Sequence, residues 1–280
     1  MLNNKRLVII TSQLNEAITE SLAKMTDMTP LIMTLADFLK SVTLFDELDC
    51  DGTKIQWQKG GLTITNDANT LALSRLFYMP LDLFDDFNPN DKDYAAAEIR
   101  AYLGFALNSF NTLNNALDEN GHEILHPLPT QWELIKKFNT TCVPPNYYWG
   151  DYRFNYLQGP ELVYSDICNF KKWRGPNAPD EKLIFCFERP LGNPYFSLVI
   201  NGAALITTDH QEVDPTIITD IANQSIMLAK QFDYFISESL YFYDGKQTIV
   251  AFISPFIIYS KKNSQFDFFV HKQFRKALES

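Results

Sequence analysis

The chain has 280 residues, a net charge of −10 and no clustered stripe of Lys or Arg, which argues against binding to nucleic acid or to a bulk anionic membrane surface. Hydrophobic residues make up 46% and charged residues 21%, so a core for one large domain or two or three small ones is expected, and wholesale disorder is not. The 22 Phe and 13 Tyr favour strands and large cores, and aromatic rings can also stack on a ligand.

The apolar run Leu7–Ile10 is too short for a signal peptide, and no window approaches a membrane-spanning helix. "RLVII" (6–10) reads as a strand, followed by a helix that Ser12 or Asn15 would cap, with Leu14, Ile18, Leu22 and Met25 at helical spacing. "PLIMTL" predicts a second strand and "ADFLKSV" a short helix, a β-α-β opening of the parallel-sheet kind. Lys59-Gly60-Gly61 interrupts "KIQWQKGGLTIT" as a hairpin turn, and "SRLFYMP" reads as another strand. The longest helix is expected to start near Asp91 and to stop at "DENG", with Ile99, Leu103, Ala106, Phe110 and Leu113 as its apolar stripe. Residues 1–120 thus form an α/β unit, followed by a linker and small subdomain over 121–185 and a third unit over 186–280.

His122 and His126 in "HEILH" match the metalloprotease pattern only in part, and the prolines after them would stop the helix that pattern needs. Cys50, Cys142, Cys168 and Cys186 are widely spaced without a C-x-x-C, the pattern of reduced thiols in a cytoplasmic protein. Beyond a short helix, "TQWELIKKF", come a Pro-Pro segment and an aromatic loop, then the strand candidates "LVYSDI", "KLIFCFER" and "YFSLVINGAALIT". An amphipathic helix over 215–232 precedes a hairpin turning at Asp244-Gly245, and "QFDFFVHKQFRKALES" closes the chain as a helix.

This order, with several local strings, resembles the ATP-grasp superfamily, in particular its peptide-modifying branch of RimK-like and microviridin ligases. "LVIITSQLNEAITESLAKM…PLIMTLADF" is similar to that branch's N-terminal domain. "HPLPTQWELIKKFNTTCVPPNYYW" resembles its connecting segment, and "YFSLVINGAALI" its "dyRVfVVGdevl" strand. "YFISESLYFYDGKQTIVAFISPF" is similar to its closing pair of strands, which end in "EvNP". The resemblance implies a mixed fold, α/β and α+β: a parallel α/β domain followed by ATP-grasp-like domains with antiparallel sheets. It also implies ATP and Mg2+ as cofactors, and a peptide or small carboxylic acid that is activated as an acyl phosphate and attacked by an amine. Magnesium on phosphates takes hard oxygen ligands, and lysines hold the phosphates themselves.

Carried over residue by residue, the resemblance gives Lys137 as the first phosphate lysine, and Lys171, Lys172 and Lys182 are the nearest residues for the second, with Lys182 taken as the candidate. Glu188 and Arg189 in "FERPLGNP" fall at the adenine hinge, and Glu238 is the remaining metal candidate. The family's strand arginine falls on Ser197. Its last Glu and Asn fall on Phe252 and Ser254, and "TIVAFISPFIIYS" contains no carboxylate in any register. The loop "NFKKWRGP" (169–176) would suit a phosphate or carboxylate. No catalytic residue is named. Two functions follow from the resemblance: an ATP-dependent carboxylate–amine ligase, or an inactive ATP-grasp-like module that binds a peptide or partner protein. An unrelated α/β interaction protein is a third reading, and a homo-oligomer is left open.

Overall fold

The computed structural model describes residues 5–26, 28–50, 52–114, 117–119, 121–138, 140–149, 162–163, 185–209, 214–260 and 262–279. Strand β1 (Arg6–Thr11) is buried from Leu7 onward and lies between two parallel partners, β2 (Leu31–Thr34) and β8 (Thr70–Arg75). Burial on both faces explains why its sequence is an unbroken apolar run rather than an alternating one. The intervening helix α1 (Ala17–Leu22) is shorter than the pattern suggests. Neither Ser12 nor Asn15 caps it; Glu16 does, its Oε2 accepting from the Thr19 N–H at 2.8 Å. Leu14 therefore lies outside the helix and is 59% exposed.

Helix α2 (Leu35–Ser41) follows β2 directly, capped by Thr34, whose Oγ1 accepts from the Asp37 N–H at 3.0 Å. Five short strands come next: β3 (Thr43–Leu44), β4 (Glu47–Asp49), β5 (Gly52–Lys54), β6 (Gln56–Lys59) and β7 (Leu62–Thr65). The expected turn joins β6 to β7 with positive φ at both Gly60 and Gly61, a conformation that suits glycine. A 3₁₀ turn at Leu81–Phe84 leads to helix α3 (Lys92–Ser109). It stops well before "DENG", because the chain turns at Phe110 into β9 (Asn111–Thr112), which pairs parallel with β8. The first sheet thus has the order β2-β1-β8-β9.

The second half is antiparallel. Helix α4 (Leu128–Lys137) precedes a small sheet of β10 (Tyr147–Trp149), β11 (Leu162–Val163) and β12 (Phe185–Glu188), in the order β10-β12-β11. The larger sheet contains β13 (Asn193–Ile200), β14 (Ala203–Thr208), β15 (Ile236–Tyr243) and β16 (Thr248–Ser254), in the order β14-β13-β15-β16. Helix α5 (Pro215–Gln231) crosses from β14 to β15, and helix α6 (Ser264–Glu279) ends the fold. The Asp244-Gly245 turn forms as expected: Asp244 Oδ1 accepts from the N–H groups of Lys246 and Gln247 at 2.8 and 2.9 Å.

Two contacts hold these layers together. Trp132 of α4 is fully buried, donates from Nε1 to the Ala251 carbonyl at 2.8 Å, and packs edge-on to Phe187 of the small sheet. One side chain thereby spaces the two antiparallel sheets. At the other end, Phe266, Val270 and Phe274 of α6 share one core with Leu7 and Ile9 of β1 and with Leu198 and Ile236 of the large sheet. The last helix is thus a wedge between the two halves, and Lys24–Asp267 at 3.0 Å ties α1 to it at the surface.

Candidate functional site

The end of β12 opens onto a cavity of about 540 Å³, closed on the other side by Pro144-Pro145 and by the Asp244–Gln247 turn. A parallel bridge from Val143 to Ile249 of β16 brings the proline pair there. Glu188 and Arg189 both line this cavity. Glu188 is held in place: its N–H donates to the Asn146 carbonyl at 2.8 Å, its Oε2 accepts from Asn146 Nδ2 at 2.8 Å, and its Oε1 accepts from the Tyr148 hydroxyl. That last bond, with some burial, pushes the Tyr148 hydroxyl up to about 12. Lys137 is exposed and does not line the cavity; its neighbour Lys136 does, with its ammonium 4.6 Å from the Tyr147 ring centroid. Helix phase decides between the two, since adjacent residues lie about 100° apart. Lys182 and the loop 169–176 fall outside the described residues.

The large sheet presents its other candidates on one face. Cross-strand pairing puts Leu198, Glu238 and Ser254 in one row and Phe196, Leu240 and Phe252 in the next. Ser197, where the sequence places the family's arginine, pairs with Ser239 and points to the opposite face. The pairing of β13 with β15, Leu198 opposite Glu238 and Phe196 opposite Leu240, makes Phe196 rather than Ser197 a residue of the Glu238 face.

Glu238 is fully buried, and its carboxylate is taken up by the chain itself. Oε2 accepts from the N–H groups of Ile258 and Tyr259 at 2.6 and 2.8 Å, and Oε1 from that of Ser260 at 2.5 Å. Burial pushes this carboxyl above its ordinary range, and the Ser260 hydroxyl and the three amides act against that shift. The clasped loop carries Tyr259 back over the sheet, its ring 5.6 Å from Phe196 and 5.9 Å from Phe252 between centroids. A Mg2+ ion needs several oxygen ligands with free lone pairs. Here the one carboxylate faces three N–H donors, its row partner Ser254 accepts from the Phe256 N–H at 3.0 Å, and Phe252 offers none. Among the described residues no group of three or more His, Cys, Asp and Glu could hold a metal. The arrangement around Glu238 does not fit Mg2+.

A second cavity, of about 660 Å³, lies where the end of β16 meets the turn after β1 and the start of α4. Gln13, His126, Gln131, Ser254 and Phe256 are on its walls. Behind it stands a buried cluster with no counterpart among the sequence candidates. Arg75 is fully buried, donates to Glu16 Oε1 at 2.8 Å and to the Pro255 carbonyl at 3.0 Å, and lies 3.8 Å from Glu123 Oε2. The rings of Phe77 and Phe256 flank the guanidinium at 5.2 and 5.9 Å. Burial opposes ionisation of Glu16, but Arg75 and the bonds from Thr19 outweigh it and hold its carboxyl below the ordinary range. At Glu123 burial wins over Arg75 and Asn114, and the carboxyl is pushed up to about 7. The sequence signal for this cluster was an Arg at the end of a largely apolar strand, "LALSR".

No protein-family model matches the chain, and no curated protein matches it by sequence. Solved structures do. The ATP-grasp ligase PsnB, complexed with a phosphomimetic variant of minimal precursor, Mg and ADP, is 13% identical with a TM-score of 0.67, covering 99% of this chain and 98% of its own. The macrocyclase MdnB from Microcystis aeruginosa MRC is 12% identical with a TM-score of 0.63, covering 90% and 91%. A Chryseobacterium gregarium RiPP-associated ATP-grasp ligase, in complex with ADP and a leader and core peptide, is 10% identical with a TM-score of 0.61, covering 97% of each chain. The fold is therefore the one these ATP-grasp ligases share, a parallel-sheet unit followed by antiparallel sheets, as the resemblance implies.

Proposed function

We propose that this chain is a peptide-binding protein built on the ATP-grasp ligase fold, and that it does not itself transfer the phosphoryl group. The clasp of Glu238 by the amides of 258–260 carries this reading, because it occupies the carboxylate that the resemblance assigns to the metal. The cavity at β12, with Glu188, Arg189 and Lys136, would hold a nucleoside, the base against the backbone after β12. The cavity at the end of β16 would take the peptide, whose apolar side chains suit Phe252, Phe256 and Ile257. A leader and core peptide are present in the Chryseobacterium gregarium complex named above, which supports the assignment. Three described cysteines are unpaired, two of them buried, which supports a reducing, cytoplasmic setting. None of the described helices is long and apolar enough to cross a membrane.

The alternative reading, an active ATP-dependent carboxylate–amine ligase, is favoured by the nucleoside-sized cavity beside Glu188 and Arg189. Calorimetric titration with ATP, with and without Mg2+, and with adenosine separates the two. The proposal expects ATP and adenosine to bind alike and Mg2+ to add nothing; Mg2+-dependent ATP binding with ADP release overturns it. The peptide assignment is tested by panning a displayed peptide library against the wild type and a Gln13→Trp variant. Gln13 is an exposed wall residue, so the substitution narrows the cavity without entering the core. Peptides retained equally by both proteins would remove the second cavity from consideration.

A further inference from the structure

The parallel-sheet unit carries a feature that the nucleotide and peptide cavities do not use. Between α2, the 3₁₀ turn at Leu81–Phe84 and the first half of α3 runs an open groove of about 640 Å³. Phe84, Phe87, Tyr94 and Ile99 line it, with Phe87 and Tyr94 51% and 68% exposed. Two large rings left in water next to a groove of this size are unusual for a surface with no partner. Asp86, Asp91 and Glu98 also line the groove, against one lining cation, Lys40, and none of the three carboxylates has an ion-pair partner among the described residues. Their surroundings add to the same sign: residues 81–98 contain five Asp and one Glu against a single Lys, and that Lys92 is paired with Asp85.

We infer that this groove docks a cationic amphipathic segment of a partner protein, with bulky apolar side chains between Phe87 and Tyr94 and Lys or Arg facing Asp86, Asp91 and Glu98. The apolar walls give such a segment a place to bury one face, and the acidic rim selects the charge of the other. A second copy of this chain is a poorer occupant. The net charge is −10, and a two-fold contact would set one acidic rim against another. The inference does not depend on the nucleotide or peptide reading, since neither cavity shares a residue with this groove.

Fluorescence anisotropy tests it with a labelled Leu/Lys amphipathic helical peptide and its Leu/Glu counterpart. The wild type is expected to bind the Leu/Lys probe at least roughly tenfold more tightly than the Leu/Glu probe. The pair Phe87→Ala and Tyr94→Ala is expected to weaken the Leu/Lys probe by about tenfold. Charge reversal at Asp86, Asp91 and Glu98 to Lys should invert the preference. A remote reversal, Glu47→Lys with Glu279→Lys, controls for overall charge and should change affinity less than about twofold. Both aromatic positions are half or more exposed, so the variants should melt as the wild type does. The inference is overturned if the groove variants bind as the wild type, or if the remote pair weakens binding as much. It is equally overturned if sedimentation shows a wild-type dimer that the groove variants dissolve.

Discussion

Replacing Glu238 by Gln separates a loop anchor from a metal ligand. The side chain keeps its shape, but its amide nitrogen must face one of two sets of donors. The better orientation leaves the carbonyl oxygen on Ile258 and Tyr259 and turns the NH₂ toward the Ser260 N–H, now 2.5 Å from Oε1. One charge-assisted bond, about 1.5–3 kcal/mol, is lost and a donor meets a donor. Burying a neutral amide in place of a charge offsets part of this, which leaves a net loss of about 2 kcal/mol. Residues 256–260 are only partly buried, so much of the loss should appear as local opening. Hydrogen exchange over 256–260 should quicken by up to about 30-fold, with a melting temperature lower by about 4–8 °C. Added Mg2+ should change neither value. A Glu238→Gln protein with unchanged exchange and melting, but with Mg2+-dependent ATP binding lost, would refute the clasp and return Glu238 to the metal.

Arg75→Met should cost about 3–5 kcal/mol in urea unfolding, since it leaves two buried carboxyl groups, Glu16 and Glu123, without their cation; a loss under about 1 kcal/mol would contradict the cluster. Glu123 titrates near 7 in the folded protein against an ordinary 4.5, so the folded state holds a proton that the unfolded state has released. Its contribution therefore favours folding below about 4.5 and is lost as pH rises through 7, by up to about 3 kcal/mol. Glu123→Gln should flatten the stability profile across that window, and an unchanged slope would show that Glu123 titrates normally. At Gly192 (φ +97°) a Cβ would fall 2.0 Å from the Tyr243 carbonyl oxygen, whereas at Gly245 (φ +92°) it would meet nothing within 4 Å. Gly192→Ala should thus destabilise by on the order of 3 kcal/mol and Gly245→Ala by about 1 kcal/mol, and equal losses would sink the steric argument.

Local patterns carried most of the fold. The Gly60-Gly61 and Asp244-Gly245 turns, the apolar runs of β1 and β16 and the stripe of α3 each depend on neighbours a few residues away, and each formed near its expected place. Expectation failed where a boundary depended on distant partners. Helix α3 ends early because β8 recruits Asn111 and Thr112 as a strand, and α1 starts late because Glu16, already bound to Arg75, serves as its cap. At the first cavity the phase of α4 brings Lys136 rather than Lys137 into the lining, and the pairing of β13 with β15 puts Phe196 rather than Ser197 on the Glu238 face.

The sequence by itself determined that β16 carries no carboxylate, because that holds in every register and needs no fold. It also determined the opening β-α-β, the long helix α3 and the closing hairpin and helix, which follow from short-range periodicity and turn chemistry. Only the tertiary structure decided what stands in the place assigned to the metal. Glu238 meets the amides of 258–260 some twenty residues on, and Arg75 reaches Pro255 across 180 residues of chain. Buried charges are stable only with partners, and those partners come from segments that no local pattern links.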